Sequence, residues 1–214
     1  MKTEAVLMIK GEVLALGQMV NRSIAEVTAL LENQSGAGLA FVEEQEEQIN
    51  SSYQEIEERC LDLLMERQVL TDLQIRTLFA STIIAGKFER MADHVQRVAK
   101  MAQWAAEDKI IIPPALAEMA RCVHRMVEDV LYCFVTDNAE KVPVIIQSDN
   151  RVDYLHDFLS KQLLSDMGGQ DDAQAQMRTQ FLFSARFLER MGDAATSVAK
   201  RVYFISTGRR YKPQ

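Results

Sequence analysis

Apolar residues recur at steps of three and four along almost the whole chain, which is the spacing of an amphipathic helix. The first such segment runs from Val6 to Leu31, and the second from about Leu39 to Arg67, with the break NQSGAG between them. The positions of the first helix predicted to face inward are Leu7, Leu14, Met19, Ile24, Val27, Leu30 and Leu31. Those of the second helix are Ile49, Tyr53, Ile56, Cys60, Leu63 and Leu64.

A third helix completes the first half of the chain. Thr71, in the turn QVLTD, is suited to cap its N-terminus, and the helical pattern continues to about Trp104. The linker EDKIIIPP follows. Proline cannot continue a helix but can begin one, so we expect the next helix to start near Pro114.

The second half repeats this plan of three helices. The fourth helix is predicted from Ala115 to about Phe134. The fifth begins after a short break within TDNAEKVPVIIQSDNRVDYL and ends at Gly168 and Gly169. The sixth is capped by Asp171 or Asp172 and runs to about Ser206, and Gly208 ends it. Short connections make consecutive helices antiparallel neighbours. The sequence therefore predicts an all-α fold of two tandem three-helix bundles, residues 1–107 and residues 114–214.

One motif occurs twice at an offset of one hundred residues, first in KFERMADHVQRVAK and again in RFLERMGDAATSVAK. The identical residues of the first copy are Glu89, Arg90, Met91, Asp93, Val98, Ala99 and Lys100, which recur as Glu189, Arg190, Met191, Asp193, Val198, Ala199 and Lys200. Seven identities at one offset indicate an internal repeat.

Each copy of the motif has a polar counterpart on the preceding helix. Residues four apart share one helix face, and two such pairs are Glu46 with Asn50 and Asp149 with Asp153. An antiparallel hairpin that turns within residues 68–72 places the first pair opposite Glu89 and Asp93. A turn within residues 168–172 places the second pair opposite Glu189 and Asp193. We expect each half to gather four oxygen-bearing side chains at one level.

Clustered carboxylates repel each other, and a hard or borderline cation such as Mg²⁺, Mn²⁺, Fe or Zn²⁺ would compensate that repulsion. The alternatives are a solvated acidic face or ion pairs with Arg90, Arg97 and Arg190. A ferritin-like redox centre is disfavoured because it needs two Glu-x-x-His motifs. The nearest approach is Asp153-x-x-His156, which occurs once.

Composition narrows the class of protein. The 214 residues carry a formal net charge of −7, which disfavours binding to nucleic acid. No apolar run has the length of a membrane span, and the charged N-terminal segment is not a secretory signal. The three cysteines have no metal-binding spacing and are expected to be reduced and buried. We expect a cytoplasmic protein.

The repeated motif resembles the signature of the PhoU family of phosphate-uptake regulators, which carries Glu-Arg-x-x-Asp once in each three-helix bundle. Three further stretches, LMIKGEVLALGQMV, TDLQIR and VTDNAEKVPVIIQSDNRVD, are similar to that family as well. The resemblance covers nearly the whole chain and implies a non-enzymatic negative regulator. Such a regulator would contact a phosphate-specific ABC transporter, a sensor histidine kinase or both, and would associate as a homodimer. It would bind iron, zinc, manganese or magnesium at the acidic motifs.

The chain departs from the family pattern mainly in its first half. Arg97 and Ser197 occupy positions where the family has Asn, and Asn50 occupies one where Asp is usual. Arg97 lies one turn beyond Asp93 and is expected to neutralise it. We therefore expect stronger metal binding in the second half. A carboxylate-bridged metalloenzyme and a metal-free helical adaptor remain alternatives.

Overall fold

Six α-helices form nearly all of the chain for which the structure gives positions. The computed structural model describes residues 2–33, 38–66, 70–165 and 172–212. The helices are α1 (Lys2–Asn33), α2 (Leu39–Met65), α3 (Asp72–Glu107), α4 (Pro114–Thr136), α5 (Val142–Ser165) and α6 (Asp172–Thr207). Those ranges contain no strand, which confirms the all-α class, and no helix with the length and apolar character needed to cross a membrane.

Several helix ends lie where the sequence predicts them. The Thr71 side chain accepts a hydrogen bond from the N–H of Gln74, whose side chain accepts one from the N–H of Thr71, forming a capping box. Pro114 is the first residue of α4. Gly208 ends α6 with a φ of 70°, a conformation that glycine adopts without strain. The signals predicted at residues 168–171 lie outside the described residues.

The buried face of α1 agrees with the prediction only in the later part of the helix, where Ile24, Val27, Leu30 and Leu31 are buried. Leu7 is 61% exposed, and Leu14 and Met19 are only partly buried. In the earlier part of α1 the core-facing residues are instead Val6, Ile9, Val13, Leu16 and Val20. Because α1 packs against α2, α3 and α4, apolar residues occur on more than one side of it. The pattern alone therefore did not fix which stripe faces the core.

The second helix follows its prediction more closely. Ile49, Ile56 and Cys60 are buried, whereas Leu64 is 39% exposed. The free and buried cysteines, as expected from the sequence, are Cys60, Cys122 and Cys133. Burial raises the pKa of the Cys60 thiol to about 11, so this side chain behaves as an inert part of the core.

The helices pack as two similar units around one core. Helices α1, α3, α6 and α4 form a ring, while α2 lies across α1 and α3, and α5 lies across α4 and α6. The repeat-related helices α1 and α4 pack together, as do α3 and α6. A single hydrophobic core runs through all six helices. The two units share this core, and the boundaries 1–107 and 114–214 remain a prediction.

Helices α3 and α6 run antiparallel where they pack. The His94 ring stacks on Phe187 with 5.2 Å between ring centroids. Phe79, earlier in α3, lies 5.9 Å from the guanidinium of Arg201, later in α6. Later residues of one helix therefore meet earlier residues of the other. This register places the two copies of the repeated motif opposite each other along the α3–α6 seam.

Candidate metal sites

Two sets of polar side chains lie at the hairpins α2–α3 and α5–α6. The first acidic cluster comprises Glu46, Asn50, Glu89 and Asp93. The second acidic cluster comprises Asp149, Asp153, Glu189 and Asp193. Within each cluster the carboxylates lie close enough to influence one another electrostatically across the two helices. The structure therefore brings the predicted residues together as two separate groups, while binding of a metal by them stays a prediction.

Amide groups satisfy part of the first acidic cluster. The side-chain amide of Asn50 donates to one oxygen of Glu46, and that of Gln96 donates to the other at 3.5 Å. Burial raises the pKa of Glu89, and Asp93 and Glu46 raise it further, while Arg90 opposes them. Both oxygens of Glu46 thus already have donors, so a cation would have to compete with these hydrogen bonds.

The second acidic cluster has no such donors at its most buried carboxylate. Burial first, then Asp153, Asp193 and Glu189, raises the pKa of Asp149 from 3.8 to about 7. Asp149 Oδ1 and Glu189 Oε2 are buried without a hydrogen-bond partner. Arg186 donates to the other oxygen of Glu189 at 2.6 Å. Unsatisfied buried oxygens are costly, and a bound cation would remove that cost.

A glycine makes room for the Asp149 carboxylate. A Cβ placed on Gly192 of α6 would lie 2.5 Å from Asp149 Oδ1, well inside contact distance. The repeat-equivalent residue in α3 is Ala92, which has a Cβ and is buried. The second hairpin therefore holds a short aspartate directly against the backbone of α6.

The side chains do not form a ready-made ligand set. Among the described residues, no three His, Cys, Asp or Glu side chains are grouped closely enough to hold a metal ion. Asp153 and Asp193 are exposed and can change rotamer. The oxygen chemistry of the second acidic cluster and its two orphaned oxygens fit a hard cation. The first acidic cluster fits a hard cation less well because side-chain amides already donate hydrogen bonds to both oxygens of Glu46.

Arg97 does not neutralise Asp93 as the sequence suggested. Its guanidinium lies 5.4 Å from the centroid of the Phe187 ring on α6, a cation–π contact. Among the described residues, Asp93 forms no ion pair. Within the same residues, neither Arg90 nor Arg190 pairs with a carboxylate. The prediction was wrong because it considered only α3, whereas the packing of α6 supplies the partner of Arg97.

His94 also turns away from its neighbour Asp93. Its ring stacks on Phe187, and its Nδ1 atom is buried without a hydrogen-bond partner. Burial lowers the pKa of His94, and Arg190 and Arg97 lower it further. His94 therefore lies in a positively charged environment on the α3–α6 seam.

A second histidine lies nearer to the acidic residues than its sequence context suggested. Because His156 lies near Glu189 and Asp153, it partly offsets the rise in the pKa of both carboxylates. Its Nδ1 is 3.3 Å from Asp157. The once-occurring Asp153-x-x-His156 spacing was the only sequence signal for this placement.

Sequence reasoning missed a group of basic side chains at the seam. Lys87, Arg90 and Arg190, which we call the basic seam, line a concavity of about 350 Å³ between α3 and α6 together with Met91, His94, Asp193 and Ala194. The signal was present in the motif. Adjacent helical residues point about 100° apart, so Glu89 and Arg90 cannot both face α2.

The fold and the paired acidic clusters define a class of duplicated, all-α proteins whose two three-helix units each carry one Glu-Arg-x-x-Asp motif. The PhoU domain matches residues 13–102 and again residues 116–202. The chain belongs to the PhoU family.

Relatives of known name support this membership. A protein of Clostridium acetobutylicum is 27% identical over 202 residues, covering 94% of this chain and 92% of its own. One of Zymomonas mobilis is 32% identical over 171 residues, covering 79% and 71% respectively. Both are named phosphate-specific transport system accessory protein PhoU homolog.

Two crystal structures show the same fold. PhoU of Pseudomonas aeruginosa matches with a TM-score of 0.91 and 22% identity, over 98% of this chain and all of the other. The phosphate transport system regulatory protein PhoU of Streptococcus pneumoniae matches with a TM-score of 0.87 and 23% identity, over the whole of both chains. These likenesses confirm the six-helix architecture.

Proposed function

We propose that this protein is a negative regulator of phosphate uptake that acts by contact with other proteins in the cytoplasm. The observation that carries the proposal is the match of both repeats to the PhoU domain, together with relatives named as accessory proteins of phosphate-specific transport. Its partners would be a phosphate ABC transporter, a sensor histidine kinase or both. The protein would act as a homodimer and would catalyse no reaction.

The test combines uptake with capture of the partner. Deleting the gene is expected to raise phosphate uptake when phosphate is plentiful, and the wild-type chain should restore the low rate. Tagged protein should retain the transporter ATPase or the kinase from the same cells. Unchanged uptake in the deletion strain, with neither partner retained, would contradict the proposal.

A metal-binding role is the finer part of the proposal. Asp149, Asp153, Glu189 and Asp193 would hold a divalent or trivalent ion of iron, zinc, manganese or magnesium. The bound ion would supply positive charge that joins α5 to α6. Asp149 would contribute its orphaned Oδ1, and Gly192 would keep the space that this carboxylate needs. Arg186 would hold Glu189 in its rotamer through the hydrogen bond at 2.6 Å.

Calorimetry can test this assignment. Mn²⁺, Fe²⁺ and Zn²⁺ would be titrated into metal-free wild type, Asp193→Asn and the repeat-equivalent control Asp93→Asn. We expect Asp193→Asn to lose most of the binding heat and Asp93→Asn to keep it, because the fuller carboxylate set lies in the second half. Equal heats in wild type and Asp193→Asn would rule out the second acidic cluster as the metal site.

A metal-free helical adaptor is the second candidate. It is favoured by the absence of a preassembled ligand group among the described side chains. Elemental analysis of protein purified without chelator separates the two. Metal at less than stoichiometric amounts, combined with normal regulation of uptake, would favour the adaptor.

A further inference from the structure

The arginine of the motif in α3, Arg90, lies opposite its repeat counterpart in α6, Arg190. Helices α3 and α6 run antiparallel, and His94 meets Phe187. Moving one turn back along α3 and one turn forward along α6 places Arg90 level with Arg190. Both line the concavity of about 350 Å³. Gene duplication thus sets two like charges across the seam between the units.

These cations have no carboxylate partner. Among the described residues, no acidic oxygen lies within 4.0 Å of the charged groups of Lys87, Arg90 or Arg190. Elsewhere the chain pairs its arginines readily, as the ion pairs of Arg59 with Glu12 and of Arg121 with Glu32 show. An acidic chain with 31 carboxylate residues and 24 cationic ones has enough acids to pair this seam. Among the described residues that line the concavity, three cationic side chains therefore face one carboxylate, while Glu89 and Asp93 border Lys87 and Arg90 on the side of the first hairpin.

An excess of like charge in a concavity attracts an anion. Converging positive side chains raise the local potential, and the low-dielectric walls strengthen that effect. The guanidinium group presents a planar set of donors that suits the oxygens of a tetrahedral oxyanion. The buried Nδ1 of His94, which has no partner in the structure, lies in the same lining. These features of both repeats together are suited to binding a tetrahedral oxyanion.

The dimensions and one acidic residue narrow the choice of oxyanion. Pockets for drug-sized ligands span about 300 to 1,000 Å³, so a concavity of about 350 Å³ has room for a small tetrahedral oxyanion. Among the described residues, Asp193 is the only carboxylate in its lining. Near neutral pH inorganic phosphate keeps at least one O–H group that can donate to this carboxylate, whereas sulfate has none. Sulfate would meet an unpaired like charge and bind less well.

We propose that the basic seam binds inorganic phosphate between Arg90 and Arg190, with Asp193 accepting the phosphate O–H. The protein that regulates phosphate uptake would then itself contact the ion. The binding is a property of the isolated chain, so it stands or fails independently of the partners proposed above. Since Asp193 also belongs to the second acidic cluster, phosphate and metal would influence each other's affinity by equal factors.

Phosphate titration of metal-free protein tests the site. Calorimetry in the presence of chelator would compare wild type with the double variant Arg90→Gln/Arg190→Gln. The charge-matched control is Arg22→Gln/Lys161→Gln, because these two residues are exposed and do not line the concavity. Each seam arginine removed is expected to weaken phosphate binding about tenfold, the effect of one charge-assisted hydrogen bond. The control should bind as wild type does.

Thermal unfolding checks that any loss of phosphate binding in the variants does not result from a loss of folded structure. Phosphate should raise the melting temperature of wild type and of the control but not that of the glutamine double variant. Without phosphate the double variant should melt at or above the wild-type temperature, because it loses a like-charge contact. A second variant, Arg90→Lys/Arg190→Lys, keeps the charge but not the fork of donors, and it should bind with intermediate affinity.

Four results would overturn the proposal. The first is wild type that binds no phosphate, and the second is a glutamine double variant that binds it as tightly as wild type. The third is equal affinity for sulfate and phosphate, which would indicate an unselective ion atmosphere. ADP and ATP would be titrated in the same way. The fourth result is arginine-dependent binding of either nucleotide that is tighter than the binding of phosphate, which would overturn inorganic phosphate as the ligand.

Discussion

The two acidic clusters occupy equivalent places in the repeat but satisfy their charge in different ways. In the first acidic cluster, Asn50 and Gln96 donate to both oxygens of Glu46. In the second acidic cluster, Asp149 Oδ1 and Glu189 Oε2 are buried without donors. Protein groups therefore satisfy Glu46 in the first acidic cluster, while the second acidic cluster has oxygens without a protein donor that a cation could satisfy.

This difference shows that a duplicated motif does not guarantee a duplicated site. Glu89 and Asp93 recur unchanged as Glu189 and Asp193. The residues that decide whether the carboxylates are satisfied lie outside the motif, on α2 and α5 and at the supporting position Gly192. The repeats have therefore diverged in what surrounds the motif.

The largest expected effect concerns the pH dependence of stability in metal-free protein. The pKa of Asp149 in the folded state, about 7, lies above its ordinary value of 3.8, so the folded state holds this proton more tightly. The resulting stabilisation is complete below the ordinary value and is lost as the pH rises through about 7. A shift of this size corresponds to at most about 4 kcal/mol, and solvent screening of this half-buried carboxylate reduces the effect further. Asp149→Asn should remove most of this loss.

Urea unfolding in chelator, at about pH 5 and about pH 8, measures this effect. Wild type should be less stable at the higher pH, and Asp149→Asn should lose less stability between the two conditions. The repeat-equivalent control, Glu46→Gln, should instead be destabilised at both, because it disturbs the hydrogen bonds from Asn50 and Gln96. An Asp149→Asn protein with the same pH dependence as wild type would contradict the contrast drawn between the clusters.

A smaller effect is expected from making the first acidic cluster resemble the second. Asn50→Asp removes the amide that donates to Glu46 and adds a fourth carboxylate. In chelator this should cost about 2 kcal/mol of unfolding free energy, the range for a hydrogen bond to a charged group. Mn²⁺ should restore the loss and raise the number of ions bound per chain.

The matched control for that change is Gln54→Glu, which adds the same charge at an exposed position of the same helix. It should alter stability by no more than a few tenths of a kcal/mol, as surface charges do. If Mn²⁺ stabilises both variants equally, the added carboxylate at position 50 does not complete a metal site.

Local signals predicted most of the fold and the composition of both clusters. Helical periodicity, the Thr71 capping box and Pro114 depend on residues near each other in the chain, and so does the register within each hairpin. These features placed Glu46 near Glu89 without knowledge of the tertiary structure. The sequence was sufficient wherever the deciding contact lay within one hairpin.

Contacts between the repeats were beyond those signals. Arg97 was assigned to Asp93 on its own helix, but it lies against Phe187 of α6. The meeting of Arg90 with Arg190 likewise depends on how α3 packs on α6. Leu7 was placed in the core because α1 has apolar residues on several sides, and only the packing of three neighbouring helices selects among them.

The smallest expected effect isolates the support for Asp149. An alanine in place of a helical glycine normally stabilises a protein by about 1 kcal/mol. Gly86→Ala in α3 should show this gain, because the nearest atom to its new Cβ would be in the Tyr53 side chain at 3.4 Å, an ordinary contact distance. Gly192→Ala in α6 should not, because its Cβ would lie 2.5 Å from Asp149 Oδ1 and the short side chain must move.

Unfolding free energies of the two glycine variants in chelator give the comparison directly. A gain in Gly86→Ala without one in Gly192→Ala would confirm that the second hairpin holds its aspartate against the α6 backbone. Mn²⁺ binding should be weakened in Gly192→Ala alone, since the displaced carboxylate is the one proposed to contribute the orphaned oxygen. An equal gain in both variants, with Mn²⁺ binding unchanged, would show that Asp149 moves freely and that Gly192 does not distinguish the second acidic cluster from the first.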